Sequence, residues 1–430
     1  MFLNLIKRLL GLLLLPNATN TPITIANEAD FFKFKYEKRA YATIFKDNPY
    51  LMAIKKEKGF VGKKSIHKVE TDFGGSTGFS TLPTATPVSV DEVELTHKKL
   101  YARLYLEGLA WEASKGDEGA MEDASAFETK RKIQSFKRTL EEHLLGDGDG
   151  SMGTINAATP GGTAAAPTIV ISAATWVKAK WQTGQIVNIG SATDNYKVTA
   201  VNPTTRTISL SREDGSADLT SLTNSTAVVY LQGSKDAAFT GARQVLSATS
   251  GSLYGITVGN GWQAYQKDAS SATISPSMLQ EIVLGIYDQV EETPNLIIAS
   301  ITQYRKLLSY QDHLKQLTVP IRLPMSRTEG EVKESEKYLS PLSFTSVALA
   351  TDRGLIPVVA NRFLKASECM LVNTDYIKFC MTPAGMHFKD QDGTVFLRSS
   401  TSDEYEGRYA VYGDQLIIPS YQGYLYGLST

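Results

Sequence analysis

The spacing of apolar residues changes several times along the chain, and each change marks an element. Ser65-Ile66-His67-Lys68-Val69-Glu70 alternates with period two. A Gly/Ser/Thr/Pro-rich excursion from Gly74 to Pro87 follows, and alternation resumes from Val93 to Leu106. Two alternating runs joined by a turn-rich stretch predict a long β-hairpin over residues 59–106. A hairpin of that length cannot bury both faces against its own domain, and a lone two-stranded ribbon is marginal in water. The period then becomes helical. Ala120, Ala124, Phe127, Phe136, Leu140 and Leu144 predict a helix from Asp117 to Leu145, with acidic residues in its first turns and Gly146 after its end. Such a helix is about 40 Å long, and its single apolar face suits it to lie across a sheet.

Residues 147–162 read as loop. Asp147-Gly148-Asp149-Gly150 invites a calcium reading, but a calcium-binding EF loop needs Gly at position six and Glu at twelve, where this chain has Met152 and Ala158. Residues 163–233 carry only nine charges. Short β-prone runs, such as 168–171, 185–189, 196–201, 207–210 and 227–231, are separated by Asn202-Pro203 and Asp214-Gly215. This predicts a small barrel or sandwich. Ser275-Pro276 opens a helix with apolar face Leu279, Ile282, Val283, Ile286 and Val290. A short buried strand over 295–300 and a second helix over 301–314 come next, then a polar loop over 320–342. From Leu355 onward the pattern is strand-like, ending in Tyr421, Tyr424 and Tyr426.

The 430 residues are 42% hydrophobic and 21% charged, with net charge −1. That is globular composition with two or three domains, and it argues against a dedicated nucleic-acid binder. The balance hides local asymmetry. Residues 1–64 hold 12 Lys and Arg against 5 acids, a net of +7, whereas residues 70–94 hold five acids and no Lys or Arg. An arm carrying Lys33, Lys35, Lys38 and Arg39 could therefore meet a hairpin tip carrying Glu70, Asp72, Asp91, Glu92 and Glu94 on another copy. Two unrelated solvated surfaces explain the same charges. The aromatic residues Phe31, Phe32, Phe34, Tyr36 and Tyr41 among those cations also fit nucleic-acid stacking or plain strand alternation. Met1 to Leu15 is apolar, but Lys7 and Arg8 interrupt it and Leu9–Leu15 is too short to span a bilayer. It reads as an arm or helix that docks on another surface, with no membrane role.

Candidate chemistry is sparse. The chain has no Walker loop, GxGxxG after a strand, HExxH or GxSxG. The five histidines stand apart, although His67 and His97 lie on the two hairpin runs and could pair across them. Cys369 and Cys380 form no disulfide framework and read as small buried hydrophobes. No catalytic, cofactor-binding or metal residue is expected, and no cofactor.

The order of hairpin, long helix, inserted β-domain, then helix–strand–helix resembles the tailed-bacteriophage major capsid protein, the Hong Kong 97-type α+β fold. The segment Asp403-Glu404-Tyr405-Glu406-Gly407-Arg408-Tyr409 adds to the likeness. The resemblance implies an N-terminal arm (1–58), an extended hairpin loop (59–106), a spine helix and first peripheral part (107–162), an all-β insertion domain (163–233), an axial domain (234–354), and strands returning to the core (355–430). It implies hexamers and pentamers of an icosahedral shell enclosing double-stranded DNA without sequence-specific contacts. The partners would be further copies of the chain, with scaffold, portal and decoration proteins, and the location the virion, assembled in host cytoplasm. The family's self-crosslinking of Lys to Asn does not carry over, because nothing marks an acceptor for Lys63, Lys64 or Lys68. A bacterial protein compartment of the encapsulin kind is the alternative within the fold. A secreted β-rich adhesin is the alternative of another class.

Overall fold

The computed structural model describes residues 48–62, 64–72, 89–109, 124–156, 161–163, 166–190, 195–212, 227–259, 261–314, 347–351, 354–389, 395–398 and 403–430. The architecture is α+β. A short helix α1 (Pro49–Ala53) leads to β1 (Lys55–Lys58), the hairpin strands β2 (Lys64–Asp72) and β3 (Ser89–Thr96), then β4 (Lys98–Glu107) and the long helix α2 (Ala124–Leu145). Residues 117–123, the expected start of that helix, lie outside the described residues.

The hairpin differs from expectation. β2 and β3 pair antiparallel from Lys64↔Thr96 to Asp72↔Ser89, but the return run breaks at His97. β4 leaves the hairpin and pairs with a distant strand from Glu107↔Glu404 to Lys98↔Gly413. The hairpin therefore ends at Thr96 rather than at residue 106. The break carries a parity change. Val93 and Leu95 are buried before it, and Leu104 and Leu106 after it, so odd positions face inward in β3 and even positions in β4.

The stretch expected to be loop after α2 already belongs to the inserted sheet. β5 (Ser151–Thr154), β6 (Gly161–Thr163), β7 (Ala166–Val170), β8 (Ile186–Ile189), β9 (Tyr196–Asn202), β10 (Thr207–Arg212) and β11 (Val228–Leu231) form one seven-stranded sheet in the order β5-β11-β8-β9-β10-β7-β6. Met152, Ile169, Trp181, Val187, Tyr196, Ile208 and Val229 close a core of their own there.

Helix α3 (Ala242–Leu246) and the small ribbon β12 (Ser252–Leu253) with β13 (Ile256–Thr257) precede β14 (Tyr265–Asp268). Then come α4 (Pro276–Val290), β15 (Leu296–Ser300), α5 (Ile301–Leu314), β16 (Ala348–Thr351), β17 (Gly354–Asn361), β18 (Cys369–Val372), β19 (Ile377–Met381), β20 (His387–Phe388), β21 (Phe396–Arg398), β22 (Glu404–Ile417) and β23 (Gly423–Tyr426). Ser275 caps α4, its hydroxyl accepting from the Met278 amide at 3.4 Å, with Pro276 in the first turn. One six-stranded sheet runs β14-β23-β18-β15-β17-β16; another is built around β22, which pairs β19, β20, β21 and β4. The main core lies between the β22 sheet, the end of α2 and α3, with Leu140, Leu144, Phe239, Phe379 and Val411 fully buried.

Helix α2 does not keep the single apolar face expected of it. Besides Phe136, Leu140 and Leu144, its last turns bury Arg138, Glu141, Glu142 and His143. Polar groups at such depth need partners, and those partners come from distant segments.

Candidate assembly surfaces

The hairpin is seated by one face only. Val93 and Leu95 join the main core, and the Glu94 amide donates to the Tyr254 carbonyl at 3.0 Å. The opposite face presents Lys64, Ile66 and Lys68 from β2 and Val90, Glu92 and Glu94 from β3, all exposed. Ile66 and Val90 keep about half of their surface in solvent, 52% and 48%. An alternating strip of apolar and charged residues, rooted at one edge, suits a partner that covers its outer face.

The charge on that strip is partly answered within the hairpin. Lys64 pairs with Glu94, and Lys68 stands opposite Glu92 in register. Asp91 is half-buried on the inner face. Glu70 and Asp72 lie in β2 by backbone. Lys33, Lys35, Lys38 and Arg39 lie outside the described residues. His67 and His97 do not pair across the hairpin. His67 bonds the Ser65 hydroxyl at 3.2 Å, whereas His97 reaches the Gly62 carbonyl at 2.7 Å and stacks on Phe60 at 3.8 Å.

A second surface lies on the outer face of β4 and β22, and sequence reading missed it. Tyr101 and Tyr412 share a hydroxyl hydrogen bond of 3.0 Å. The Lys389 ammonium sits 5.3 Å and 4.7 Å from their ring centres. Arg103 grips Glu406 through two nitrogens at 3.0 and 3.1 Å, and Arg408 adds a third contact at 2.8 Å. These hydrogen bonds hold the Glu406 carboxyl below its usual range. Tyr101, Arg103, Lys389, Glu406 and Arg408 line a hollow of about 400 Å³. Across β4, a groove of about 430 Å³ runs between β4, α2 and the exit of β11; it carries Lys99, Arg103 and Lys132 and no carboxylate. The signal was the alternation Lys99-Tyr101-Arg103-Tyr105, whose outward half is polar and aromatic.

Below these surfaces a buried ion cluster fixes the exit of α2. The Arg243 guanidinium meets Glu368 at 2.8 Å and Asp147 at 3.3 Å, and Lys365 approaches Glu368 at 3.7 Å and Asp147 at 4.0 Å. Burial works against the charge on Arg243 and Asp147, but their mutual attraction, with Glu368 beside Arg243 and Lys365 beside Asp147, outweighs it. Arg243 is held above its usual range and Asp147 below. Gly241 sits so close to Gly146 that a Cβ there would lie 2.0 Å from the Gly146 carbonyl oxygen. The chain that leaves α2 and the chain that returns from the inserted sheet are therefore locked together.

Among the described residues, no three of His, Cys, Asp and Glu converge as metal ligands, and no helix is long and apolar enough to cross a membrane. Cys369 and Cys380 are free and buried, on β18 and β19. Burial pushes the Cys369 thiol up to about 12.

Comparison with known proteins adds the wider context. The model of the SU10 major capsid protein family matches residues 110–394. No curated protein matches the chain by sequence. Among solved structures, the cyanophage A-1(L) capsid asymmetric unit is similar over 95% of this chain and 100% of its own, with 9% identity and a TM-score of 0.56. The holo-SrpI encapsulin complex of Synechococcus elongatus aligns over 95% of this chain and 96% of its own at 7% identity and TM-score 0.47. The capsid of a native GTA particle aligns over 94% and 99% at 8% identity and TM-score 0.47. The cyanophage likeness speaks for the fold alone, the Hong Kong 97-type capsid fold; the two lower scores carry no argument.

Proposed function

Because the chain belongs to the SU10 major capsid protein family, we propose that its copies close into an icosahedral shell of hexamers and pentamers around double-stranded DNA. Scaffold, portal and decoration proteins complete the particle, which assembles in the host cytoplasm. The role is structural, with no catalytic step and no cofactor. Residues 1–58 act as the arm, the hairpin as the loop reaching a neighbour, the seven-stranded sheet as the insertion domain, and the β14–β18 sheet with α4 and α5 as the axial domain.

The observation that supports this reading best is the hairpin rooted by Val93 and Leu95 with Ile66 and Val90 left exposed on its outer face. Each copy would offer that face to the next, so weak contacts multiply around a closed lattice. The DNA is enclosed rather than gripped, in keeping with a net charge of −1.

In this reading the arm cations Lys33, Lys35, Lys38 and Arg39 lie near a neighbour's Glu70, Asp72, Asp91, Glu92 and Glu94. Glu94 already holds Lys64 and Glu92 stands opposite Lys68, so Glu70 and Asp72 carry most of the attraction. Reversing the four arm cations to Glu should weaken shells at low salt. The shells should approach wild type near 1 M salt, where the Debye length falls from about 10 Å to about 3 Å. Leu12→Asp and Leu14→Asp should weaken them at every salt concentration, because leucine burial is not screened. Light-scattering dissociation curves decide. Unchanged curves for the charge-reversed protein at all salt concentrations would reduce the arm's charges to a solvated face.

A further inference from the structure

Glu141 lies in the last turns of α2 with no exposed surface, and two distant parts of the chain meet on it. The Asn361 side-chain amide, at the end of β17, donates to its Oε1 at 2.6 Å. That amide is fixed in orientation, because its oxygen accepts from the Phe363 backbone at 2.8 Å. The Tyr50 backbone N–H donates to the same Oε1 at 3.4 Å, and the Leu51 amide also favours the carboxylate. Oε2 has no hydrogen-bond partner among the described residues. Tyr50, Leu51 and Ile54 are the buried residues of α1 and its exit, so Glu141 sits beneath the point where the N-terminal arm joins the body.

We infer that Glu141 is a protonation-controlled clasp: its neutral carboxyl keeps the root of the N-terminal arm seated on α2, and its ionised form loosens that seat. The proton is exchanged with water; no covalent bond changes. An ionised carboxylate at this depth leaves Oε2 charged and unsolvated, and a buried charge without full compensation is costly. The charged and titratable groups around it do little to offset this. Just after β17, Arg362 favours the charge, and from α1 comes the Tyr50 phenol, which burial holds far above its usual range. From β22, the Gln415 amide meets the Tyr50 hydroxyl, while Asp414 is engaged with Thr240 at 2.8 Å. On α2 itself, Arg138 turns to Gln182 at 3.1 Å and to the Ala179 carbonyl, and Glu142 faces Lys180 and Arg138. Burial pushes the Glu141 carboxyl from 4.5 up to about 7, against the hydrogen bonds from Asn361, Tyr50 and Leu51.

The sign follows from linkage. A carboxyl whose seated form holds its proton more tightly than the released form favours seating at low pH, and that preference is lost as pH rises through about 7. Between pH 5 and pH 8 the seating equilibrium should fall roughly 70-fold. His143 does not mimic this. Burial holds its imidazole down to about 4, so in the fold it stays neutral across that range. The inference does not depend on shell formation, since it concerns one chain.

The test is amide hydrogen exchange of residues 48–54 in the full chain, wild type against Glu141→Gln, at matched pH values from 5 to 8. Their ratio cancels the intrinsic pH dependence of exchange. The clasp predicts that wild-type protection falls roughly 70-fold relative to Glu141→Gln across the range. A ratio constant with pH overturns it. A second variant decides independently should Glu141→Gln misfold. Asn361→Ala removes a donor to the charged form and should move the wild-type midpoint to higher pH; an unmoved midpoint also overturns the inference.

Discussion

Replacing Arg243 with Met should destabilise the subunit by about 3–5 kcal/mol, the usual cost of leaving a buried charge without its partner. The side chains of Arg243 and Glu368 retain only 3% and 5% of their exposure, so solvent cannot replace the guanidinium on the Glu368 carboxylate, which is left with the longer contact to Lys365 at 3.7 Å. The loss should appear as a fall in the urea midpoint of dispersed subunits. A double variant, Arg243→Met with Glu368→Gln, should recover much of that loss, because it removes the stranded charge. Replacing a whole buried pair by neutral groups is often nearly free. A single variant within about 0.5 kcal/mol of wild type, the ordinary range for a surface change, would mean that the cluster does not brace the exit of α2.

The second large effect concerns assembly rather than folding. Exchanging residues 73–88 for a short Gly-Ser turn keeps both described hairpin strands, and with them the seat made by Val93 and Leu95. The urea midpoint should therefore hardly move. Shell formation should collapse. A loss of even about 1.4 kcal/mol at each contact weakens each association about tenfold, and a closed lattice repeats that loss at every subunit. Sedimentation should find free subunits or small oligomers where the wild type gives fast-moving particles. A normal yield of stable shells from the shortened protein would end the proposed reach of the hairpin to a neighbour.

Much of the fold was legible because the deciding forces are local. Phe136, Leu140 and Leu144 at helical spacing report a buried stripe, and Ser275-Pro276 announces a helix start through the bonds that only a first turn leaves open. Alternation in the hairpin reports which residues face inward, but not which strand lies alongside. The run from Val93 to Leu106 therefore reads as one strand, although it changes sheets at His97. Its change of parity, odd positions to Leu95 and even ones from Leu100, was present in the sequence and is the mark of that break. The burial of Glu141, Glu142 and His143 was not legible. Periodicity assigns charged residues to solvent, and their partners Asn361, Tyr50 and Lys180 come from remote segments that no local rule connects. Strand β5 escaped for another reason. Ser151-Met152-Gly153-Thr154 is too short and too glycine-rich to stand out, and it is a strand because β11 pairs with it. Of the candidate site, the acidic hairpin residues were legible as charge. Their partial neutralisation by Lys64 and Lys68 depended on the register, which sequence alone leaves open.

The most direct measurement is electron microscopy of the purified full-length protein, with nuclease-protected nucleic acid assayed in the same particles. The account predicts closed shells of uniform size that retain double-stranded DNA when isolated from infected cells. Dispersed subunits or open fibres under every assembly condition would contradict the shell. Closed shells that carry protein cargo and no DNA would contradict the capsid role and favour a protein compartment.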